Sequence, residues 1–248
     1  MEKEKLVIIP TFNELENIRE VIHAVMNLEG NFELLIIDDN SPDGTALEVI
    51  KLQNEFTGRL HLIQRKGKLG LGTAYITGFK YALEKGYSYI FEMDADFSHN
   101  PDDLIKLHHA CANEGFDMAI GSRYITGVNV VNWPMGRVLM SFFASKYVQF
   151  ITGIPIKDTT AGFKCYTAKV LQAMDLNKIK FVGYAFQIEM KFTAWKLGFK
   201  IVEVPIIFTD RTRGTSKMST GIFKEAVLGV LYMKLRSIFK TYKPINQT

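Results

Sequence analysis

Residues Tyr89–His99 read YIFEMDADFSH, and the rest of the chain is organised around them. The stretch begins as a buried strand and runs out into two carboxylates. Because side chains alternate along an extended backbone, Asp94 and Asp96 are expected to point to the same side. Two hard oxygen ligands at a strand end suit Mg²⁺ or Mn²⁺ held together with a substrate phosphate. An isolated Asp-x-Asp also occurs in solvated acidic turns, so the surrounding sequence decides between the two.

The sequence on either side favours the metal site. A hydrophobic run precedes the two aspartates, and Asn100-Pro101-Asp102-Asp103 follows them as a helix start. The carboxyl end of a strand facing a helix N-terminus is where open α/β sheets bind ligands.

Strands and helices alternate through the first half of the chain. Strands are predicted at Leu6–Ile9, Leu34–Ile37, Leu60–Gln64, Tyr87–Met93 and Asp117–Ile120, and helices at Asn13–Leu28, Thr45–Glu55, Thr73–Leu83 and Asp102–Asn113. Short apolar runs without alternation are typical of parallel strands buried on both faces. The order predicts an α/β fold with a mostly parallel central sheet and helices on both faces.

Composition limits the class of protein. The 248 residues suffice for one large α/β domain with or without an appendage, and 47% hydrophobic with 23% charged residues is globular. The net charge of +4 is uneven, because eight Lys or Arg and the single acidic residue Glu225 follow from Arg211 onward. A basic end indicates an anionic partner such as a phosphate group or a membrane surface. No nucleic-acid module is recognisable, so nucleic acid is not an expected partner.

The chain is expected to work in a reducing compartment without crossing a membrane. Two cysteines do not form a disulfide framework, and the first residues lead directly into a strand instead of a signal peptide. The most apolar stretches, 138–156 and 221–239, contain polar or charged residues that argue against a bilayer span.

Two strand ends carry residues that could bind a nucleoside. Residues 10–14 read PTFNE where a dinucleotide site would need Gly-x-Gly-x-x-Gly, so hydride transfer with NAD is not expected. Asp38 and Asp39 end the second strand and can accept hydrogen bonds from a base or from ribose hydroxyls. The alternative is that they are solvated beside a helix capped by Ser41 or Asp43.

Beyond Tyr124 the rhythm changes to a loop, 125–135, and an aromatic-rich helix, 137–152. Such a helix belongs either to the core or to a membrane interface. Arg137 and Ser141 are one turn apart and share a face, so they could hold a phosphate. Arg137 could equally be an ordinary surface cation.

Three further segments complete the chain. A turn at 158–164 precedes a helix at 183–197 containing Gln187 and Glu189, and a final strand, 200–208, leads into residues 210–217. Those residues, DRTRGTSK, place three cations and a glycine where they could form a flexible anion clamp, or else simply face solvent. The last helix, 220–239, is amphipathic and fits docking on the body or on anionic lipid.

Six motifs occur in an order that resembles a known family. They are VIIPTFNE at 7–14, DDNSPDGT at 38–45, GLGTAY at 70–75, MDADFSH at 93–99, GSRY at 121–124 and RTRGTSK at 211–217. Over residues 5 to about 220 the chain resembles the dolichol-phosphate mannose synthases and bacterial polyprenyl-phosphate glycosyltransferases of glycosyltransferase family 2.

The resemblance implies a GT-A fold and an inverting transfer from a nucleotide-sugar donor, with a divalent cation, onto a polyprenyl monophosphate. It favours mannose from GDP-mannose, with glucose from UDP-glucose as the alternative. Residues 1–220 would form the catalytic domain, with an acceptor loop and interfacial helix within 124–152, and residues 221–248 a basic amphipathic helix and tail. Many relatives carry C-terminal membrane spans. Here peripheral attachment to the cytoplasmic membrane face, or attachment through a membrane-spanning partner, is expected instead.

The resemblance also assigns roles to individual residues. The nucleoside would be held by Pro10, Phe12, Glu14 and Asp39, with Asp38 as neighbour. Metal and diphosphate would be held by Asp94 and Asp96, with Ser98 at the position where some relatives have a third ligand, Gln. The acceptor phosphate would be held by Arg123, Arg137 and Ser141. The donor phosphates would be held by Arg211 with Lys217. The residues expected to act in catalysis are Asp96, Arg123, Arg137, Arg211 and Lys217.

Two other classes of function stay open on the sequence alone. A family 2 enzyme with a sugar or protein acceptor would use Glu189 as its general base. A phosphate acceptor makes a strong base unnecessary, and Glu189 would then have a structural or sugar-contacting role. A non-catalytic module would bind nucleotide without turning over a donor.

Overall fold

The computed structural model describes residues 4–211, 220–239 and 241–245. The elements in chain order are β1 (Lys5–Thr11), α1 (Leu15–Met26), β2 (Glu33–Asp38), α2 (Thr45–Gln53), β3 (Leu60–Gln64), α3 (Leu71–Glu84), β4 (Tyr89–Glu92), α4 (Asp103–Ala112), β5 (Met118–Ser122), β6 (Val130–Val131), α5 (Met135–Thr152), β7 (Lys164–Thr167), α6 (Ala168–Ala173), a 3₁₀ turn (Leu176–Lys178), α7 (Tyr184–Lys196), β8 (Ile201–Pro205), β9 (Phe208–Thr209) and α8 (Thr220–Phe239). The strands and helices predicted as far as β5 are confirmed to within a few residues.

Seven of these strands form one sheet in the order β3-β2-β1-β4-β7-β5-β8. The pairs β1–β2, β1–β4, β2–β3 and β5–β8 are parallel, as the alternation of strands and helices predicts. Strand β7 is antiparallel to both of its neighbours, β4 and β5. The predicted turn at 158–164 therefore gives way, at Lys164, to a strand inside the sheet. Strands β6 and β9 form a separate parallel pair.

Successive residues of the parallel strands feed two hydrophobic cores. On β1, Ile8 packs with residues of α3, α7 and α8, whereas Val7 and Ile9 pack with residues of α1, α2 and α4. Because side chains alternate along a strand, a run that is apolar at every position needs a covering layer on each face. The prediction of helices on both faces is confirmed.

Helices α5 and α8 pack together but leave large apolar side chains in solvent. The Tyr147 hydroxyl donates a hydrogen bond to the Val227 carbonyl at 3.0 Å, which joins the two helices. On α5, Phe143 is 61% exposed and Phe150 87% exposed, so the interpretation of this helix as core is wrong for that face. Across the residues that the structure describes, every helix is too short or too polar to cross a bilayer.

Candidate active site

The turn that carries the two aspartates is bent, not extended. Strand β4 ends at Glu92, so the alternation argument for Asp94 and Asp96 is wrong. Phe97 has a φ of 57°, in the left-handed region that a bulky side chain rarely adopts. The bend is stabilised by the Ser98 amide, which donates to Asp96 Oδ1 at 3.1 Å, and by the Thr209 amide, which donates to the Ser98 carbonyl at 3.2 Å.

The two carboxylates are nevertheless close enough to interact. Burial, followed by the charge of Asp96, raises the pKa of Asp94 to about 7, while the charge of Arg211 opposes this rise. Arg211 Nη2 lies 2.9 Å from Asp96 Oδ2 in an ion pair that is mostly shielded from solvent. The structure thus brings Arg211 next to the two aspartates, from which it is more than a hundred positions away in the sequence. Lys217, the predicted partner of Arg211, lies outside the described residues.

The side chains at this turn fit a hard divalent cation. Ser98 is buried, and its hydroxyl has no hydrogen-bond partner within the described part of the chain. Its oxygen and the carboxylates of Asp94 and Asp96 form an all-oxygen donor set, which suits Mg²⁺ or Mn²⁺. Among residues 4–211, 220–239 and 241–245, no three acidic, His or Cys side chains are placed so that they could together hold a metal ion. The remaining ligands would therefore come from a substrate diphosphate and water, which is usual for Mg²⁺.

On the donor side, Asp39 is fixed by a residue that sequence reasoning missed. Arg65 binds both oxygens of the Asp39 carboxylate, at 2.6 and 2.8 Å, and also donates to the Thr73 hydroxyl at 2.7 Å. Arg65 follows β3 directly, and its pairing with a residue 26 positions away leaves no local sequence signal.

Asp38 faces inward and is fully buried. Its carboxylate accepts hydrogen bonds from the Thr11 hydroxyl at 2.9 Å and from the Ser41 amide and hydroxyl at 2.9 and 2.6 Å. These bonds tie the end of β1 to the loop after β2. These bonds give Asp38 a structural role in addition to the nucleoside contact that was predicted for both aspartates.

The remaining residues predicted to hold the nucleoside lie at the end of β1 and on the loop that follows it. Pro10 is still within β1, and Lys68 Nζ lies 5.2 Å from the centre of the Phe12 ring. The Glu14 amide donates to the Thr45 hydroxyl at 3.0 Å, which joins this loop to the start of α2. The loops after β1 and β2 therefore form one wall at the carboxyl end of the sheet, as expected for a ligand site in an open α/β sheet.

On the acceptor side, Arg123 is already paired. Its guanidinium donates to the two carboxylate oxygens of Asp158 at 2.7 and 2.6 Å, and its backbone amide donates to the same carboxylate at 3.0 Å. Arg123 is 8% exposed and Asp158 is fully buried. Burial alone would raise the pKa of Asp158, but the charge and hydrogen bonds of Arg123 lower it below the ordinary value of 3.8. Asp158 lies in a predicted turn 35 positions from Arg123, so no local signal in the sequence indicates this pair.

Arg137 lies at the centre of a second group. Its guanidinium contacts Asp210 Oδ1 at 2.8 Å and lies over the Trp133 ring, 4.2 Å from its centre. The Arg211 amide donates to the same Asp210 oxygen at 3.1 Å. Asp210 thus pairs with the Arg137 guanidinium and with the Arg211 backbone amide, while the Arg211 guanidinium pairs with Asp96. Ser141 lies one turn further along α5 and accepts a hydrogen bond from the Tyr124 hydroxyl at 2.8 Å.

Glu189, the alternative general base, is engaged with the backbone. Its carboxylate accepts hydrogen bonds from the amides of Lys180 and Phe181 at 2.8 and 3.1 Å. Two residues earlier on α7, Gln187 donates to the buried carboxylate of Glu92 at 2.8 Å, and Glu92 also lies 3.0 Å from Lys164. Glu92, Lys164 and Gln187 thus form a buried polar cluster next to residues 93–98, which we call the aspartate turn.

Comparison with known proteins places the chain among glycosyltransferases. Residues 6–175 match the model of glycosyl transferase family 2. Polyprenol monophosphomannose synthase of Mycolicibacterium smegmatis is 43% identical over 93% of this chain and 87% of its own length. Undecaprenyl-phosphate mannosyltransferase of Micrococcus luteus is 42% identical over 91% of each chain.

Solved structures show the same architecture. Glucosyl-3-phosphoglycerate synthase from Mycobacterium tuberculosis, in complex with Mn²⁺, UDP and glucosyl-3-phosphoglycerate, superposes with a TM-score of 0.66 over 94% of this chain and 80% of its own, at 18% identity. The mannosyltransferase PcManGT from Pyrobaculum calidifontis, in complex with GDP-Man and Mn²⁺, gives 0.62 over 98% and 66%, at 16% identity. The fold is GT-A, and the predicted fold class is confirmed. With the family model matched over more than half of its residues, this chain belongs to glycosyl transferase family 2.

Proposed function

We propose that this protein is an inverting polyprenyl-phosphate mannosyltransferase, which transfers mannose from GDP-mannose to a polyprenyl monophosphate. The observation that carries the proposal is the 43% identity, over 93% of the chain, to a polyprenol monophosphomannose synthase. The aspartate turn supports the proposal, because its two carboxylates and Arg211 could together bind a metal ion and the diphosphate of a nucleotide sugar.

The chemistry explains why no strong base is required. A phosphate monoester has a second pKa of roughly 6, so the acceptor is largely dianionic near neutral pH. Its oxygen can attack the anomeric carbon without losing a proton to the protein. The difficulty is repulsion, because nucleophile and donor diphosphate are both anions. Catalysis therefore depends on cationic groups that hold the two anions in line.

On the donor side we assign charge neutralisation to Arg211 and, outside the described residues, Lys217. Asp94, Asp96 and Ser98 would hold Mg²⁺ or Mn²⁺. That cation supplies Lewis-acid stabilisation of the leaving diphosphate when bound. Asp39, with Arg65 behind it, would hold the nucleoside against the loop that carries Phe12 and Glu14.

On the acceptor side we assign direct phosphate contact to Arg137, with Ser141 on the same face of α5. Arg137 is half-buried and its partner Asp210 is shared with the Arg211 amide. A phosphate that takes over the Arg137 contact would therefore lie beside Asp210, the residue that precedes Arg211 in the chain. Arg123 is held by Asp158 through three hydrogen bonds, so we propose that it supports the acceptor site without leaving that pair.

Arg137→Ala is expected to raise the KM for polyprenyl phosphate and to lower kcat/KM by about 30–1000-fold, since a charge-assisted contact contributes about 2–4 kcal/mol. The KM for the nucleotide sugar should change little. Steady-state kinetics with each substrate varied in turn measures both effects. Lys51→Ala, which removes an exposed cation on α2 away from both proposed surfaces, is the control. Unchanged kinetics in Arg137→Ala would remove the acceptor assignment.

A lipid acceptor requires contact with a membrane surface, and we propose that α5 and α8 provide it. Their exposed apolar side chains are Met135, Leu139, Met140, Phe143 and Phe150 on α5, and Leu228, Leu231, Tyr232, Leu235, Ile238 and Phe239 on α8. Lys146, Lys234 and Arg236 lie on the same two helices and would meet acidic headgroups. Since nucleotide sugars and reduced cysteines are cytoplasmic, we infer docking on the cytoplasmic face.

Replacing Phe150 and Phe239 together by Asp is expected to weaken binding to vesicles containing acidic phospholipid by at least tenfold, because each exposed aromatic side chain would bury apolar area in the interface. Vesicle co-sedimentation measures the effect. Leu47→Asp is the matched control, because Leu47 is 65% exposed but lies on α2, which packs on the opposite face of the sheet. Equal binding by the double variant and the wild type would exclude these helices as the docking surface.

The proposed reaction is tested directly with purified protein, polyprenyl phosphate and Mg²⁺ or Mn²⁺. GDP-mannose should give a mannosyl lipid in the organic phase, whereas UDP-glucose should give little product. If product forms only from UDP-glucose, the donor is UDP-glucose and not GDP-mannose. Transfer to a sugar or protein in place of the lipid phosphate would overturn the proposed acceptor, and nucleotide binding without turnover with any donor would leave a non-catalytic module.

A further inference from the structure

The segment at residues 180–182, just before α7, is held by a buried carboxylate. Glu189 is 6% exposed, and a single oxygen, Oε2, accepts both the Lys180 and the Phe181 amide hydrogen bonds. Charge-assisted bonds from backbone amides to a shielded carboxylate are strong and directional. Glu189 therefore fixes the path of this segment, although it lies two turns into the following helix.

The fixed segment contacts the start of α3 on the donor side. The Gly72 amide donates to the Val182 carbonyl at 2.8 Å, and a Cβ at Gly72 would lie only 2.8 Å from the Phe181 carbonyl oxygen. Gly70 has a φ of +99°, and a Cβ there would lie 3.0 Å from Val182 Cβ. Only glycine permits this close backbone approach. The start of α3 is thus shaped by where residues 180–182 lie.

From the start of α3 the contacts lead to the proposed nucleoside site. Arg65 donates to the Gly70 carbonyl at 3.3 Å and to the Thr73 hydroxyl at 2.7 Å, and the same guanidinium holds Asp39. A displacement of 180–182 would therefore shift the groups that orient Arg65 and, through it, the Asp39 carboxylate.

On its other side the segment is fixed against α8. A Cβ at Gly229 would lie 2.8 Å from the Phe181 ring, and the ring centres of Phe181 and Tyr232 are 6.4 Å apart. Lys180 Nζ also donates to the Tyr232 hydroxyl at 2.5 Å. Residues 180–182 are therefore held between α8 and α3, and Glu189 supplies the bonds that keep them there.

We infer that Glu189 is a positioning residue for the nucleotide site, acting through residues 180–182 and the start of α3, and is not a general base. The inference rests on the proposed function only in taking this site to bind a nucleoside diphosphate. A base must give up and take up a proton, whereas a positioning carboxylate needs only an oxygen that accepts two amide hydrogen bonds. The amide side chain of glutamine keeps an oxygen that can accept these hydrogen bonds, but it cannot act as a general base.

The experiment compares Glu189→Gln with Glu189→Ala. The dissociation constant of GDP in the presence of Mn²⁺ is measured by calorimetry, and kcat and KM for the donor are measured with lipid acceptor. We expect Glu189→Gln to keep GDP binding and kcat within about threefold of the wild type. Glu189→Ala should weaken GDP binding and raise the donor KM by about 10–100-fold, the range seen when a supporting residue is lost. Its kcat at saturating donor should fall much less.

The outcomes separate the possibilities. If both variants lose turnover equally while GDP binding is unchanged, Glu189 is a base and the inference fails. If Glu189→Ala binds GDP as tightly as the wild type, the positioning role fails. Thermal unfolding checks that Glu189→Ala is folded. If that variant is not folded, Glu189→Gln is tested alone, and loss of GDP binding by Glu189→Gln would also overturn the inference. GDP binding needs no lipid, so absence of a lipid product would refute the proposed function without affecting this result.

Discussion

Asp96→Asn is expected to lower kcat by about two to three orders of magnitude, because it weakens the site of the cation that would stabilise the charge developing on the leaving diphosphate. The substitution keeps the shape of the side chain, but it removes a carboxylate that would hold the cation and that pairs with Arg211 at 2.9 Å. Part of the loss should be recovered at high Mn²⁺, because weaker binding of the cation is one component of the effect. Turnover measured across a series of Mn²⁺ concentrations separates the two components.

Asp102→Asn is the matched control for this prediction. Asp102 lies six residues further along the same loop, is exposed, and its side chain does not cap α4. It should keep kcat within about twofold, because exposed charges away from a site contribute little. Wild-type turnover by Asp96→Asn at ordinary Mn²⁺ would mean that the metal does not bind at the aspartate turn.

Asp158→Asn is expected to destabilise the protein by about 3–5 kcal/mol, because it leaves the Arg123 charge buried without its counter-ion. Three hydrogen bonds from Arg123 converge on the Asp158 carboxylate, and both residues are shielded from solvent. The free energy of unfolding in urea measures the effect. Glu114→Gln, which breaks an exposed pair with His109, should change stability by less than about 0.5 kcal/mol.

The same carboxylate predicts a dependence on pH. The pKa of Asp158 is lowered in the folded protein, so its stabilising contribution is complete well above 3.8 and is lost as the pH falls through the lower, folded-state value. The stability difference between the wild type and Asp158→Asn should therefore be constant near neutral pH and shrink below pH 4. A difference that persists unchanged at pH 2 would show that the variant acts by another route.

The sequence predicted the first half of the fold well because its signals are local. Strands β1, β2, β4 and β5 lie in short apolar runs that end near Pro, Asp or Gly, and the intervening helices have apolar positions at helical spacing. The aspartate turn was found for the same reason, since Asp94 and Asp96 are close in sequence. The geometry of the two aspartates was not predicted, because it depends on the left-handed backbone at Phe97 and on the contact of Ser98 with Thr209 of β9, 111 positions later.

The interactions that the sequence did not predict are those between distant polar residues. Arg65 and Asp39, Arg123 and Asp158, and Glu92 and Lys164 are buried pairs whose partners are 26, 35 and 72 positions apart. A charged residue in a loop or a short strand reads as solvated until the chain brings an opposite charge to it. Strand β7 was missed for this reason, because Lys164 at its first position argues against a central strand.

The position of β7 has a consequence for how the polypeptide assembles. Strands β1 to β4 and their helices are complete within the first hundred residues and can pair as a parallel half-sheet while later residues are still being synthesised. Strand β5 is made next but cannot join it directly, because β7, about forty residues later, lies between them. Since non-local pairing slows folding, the insertion of β7 should be the rate-limiting step. Until it occurs, the β4 edge of the early half-sheet should remain unpaired.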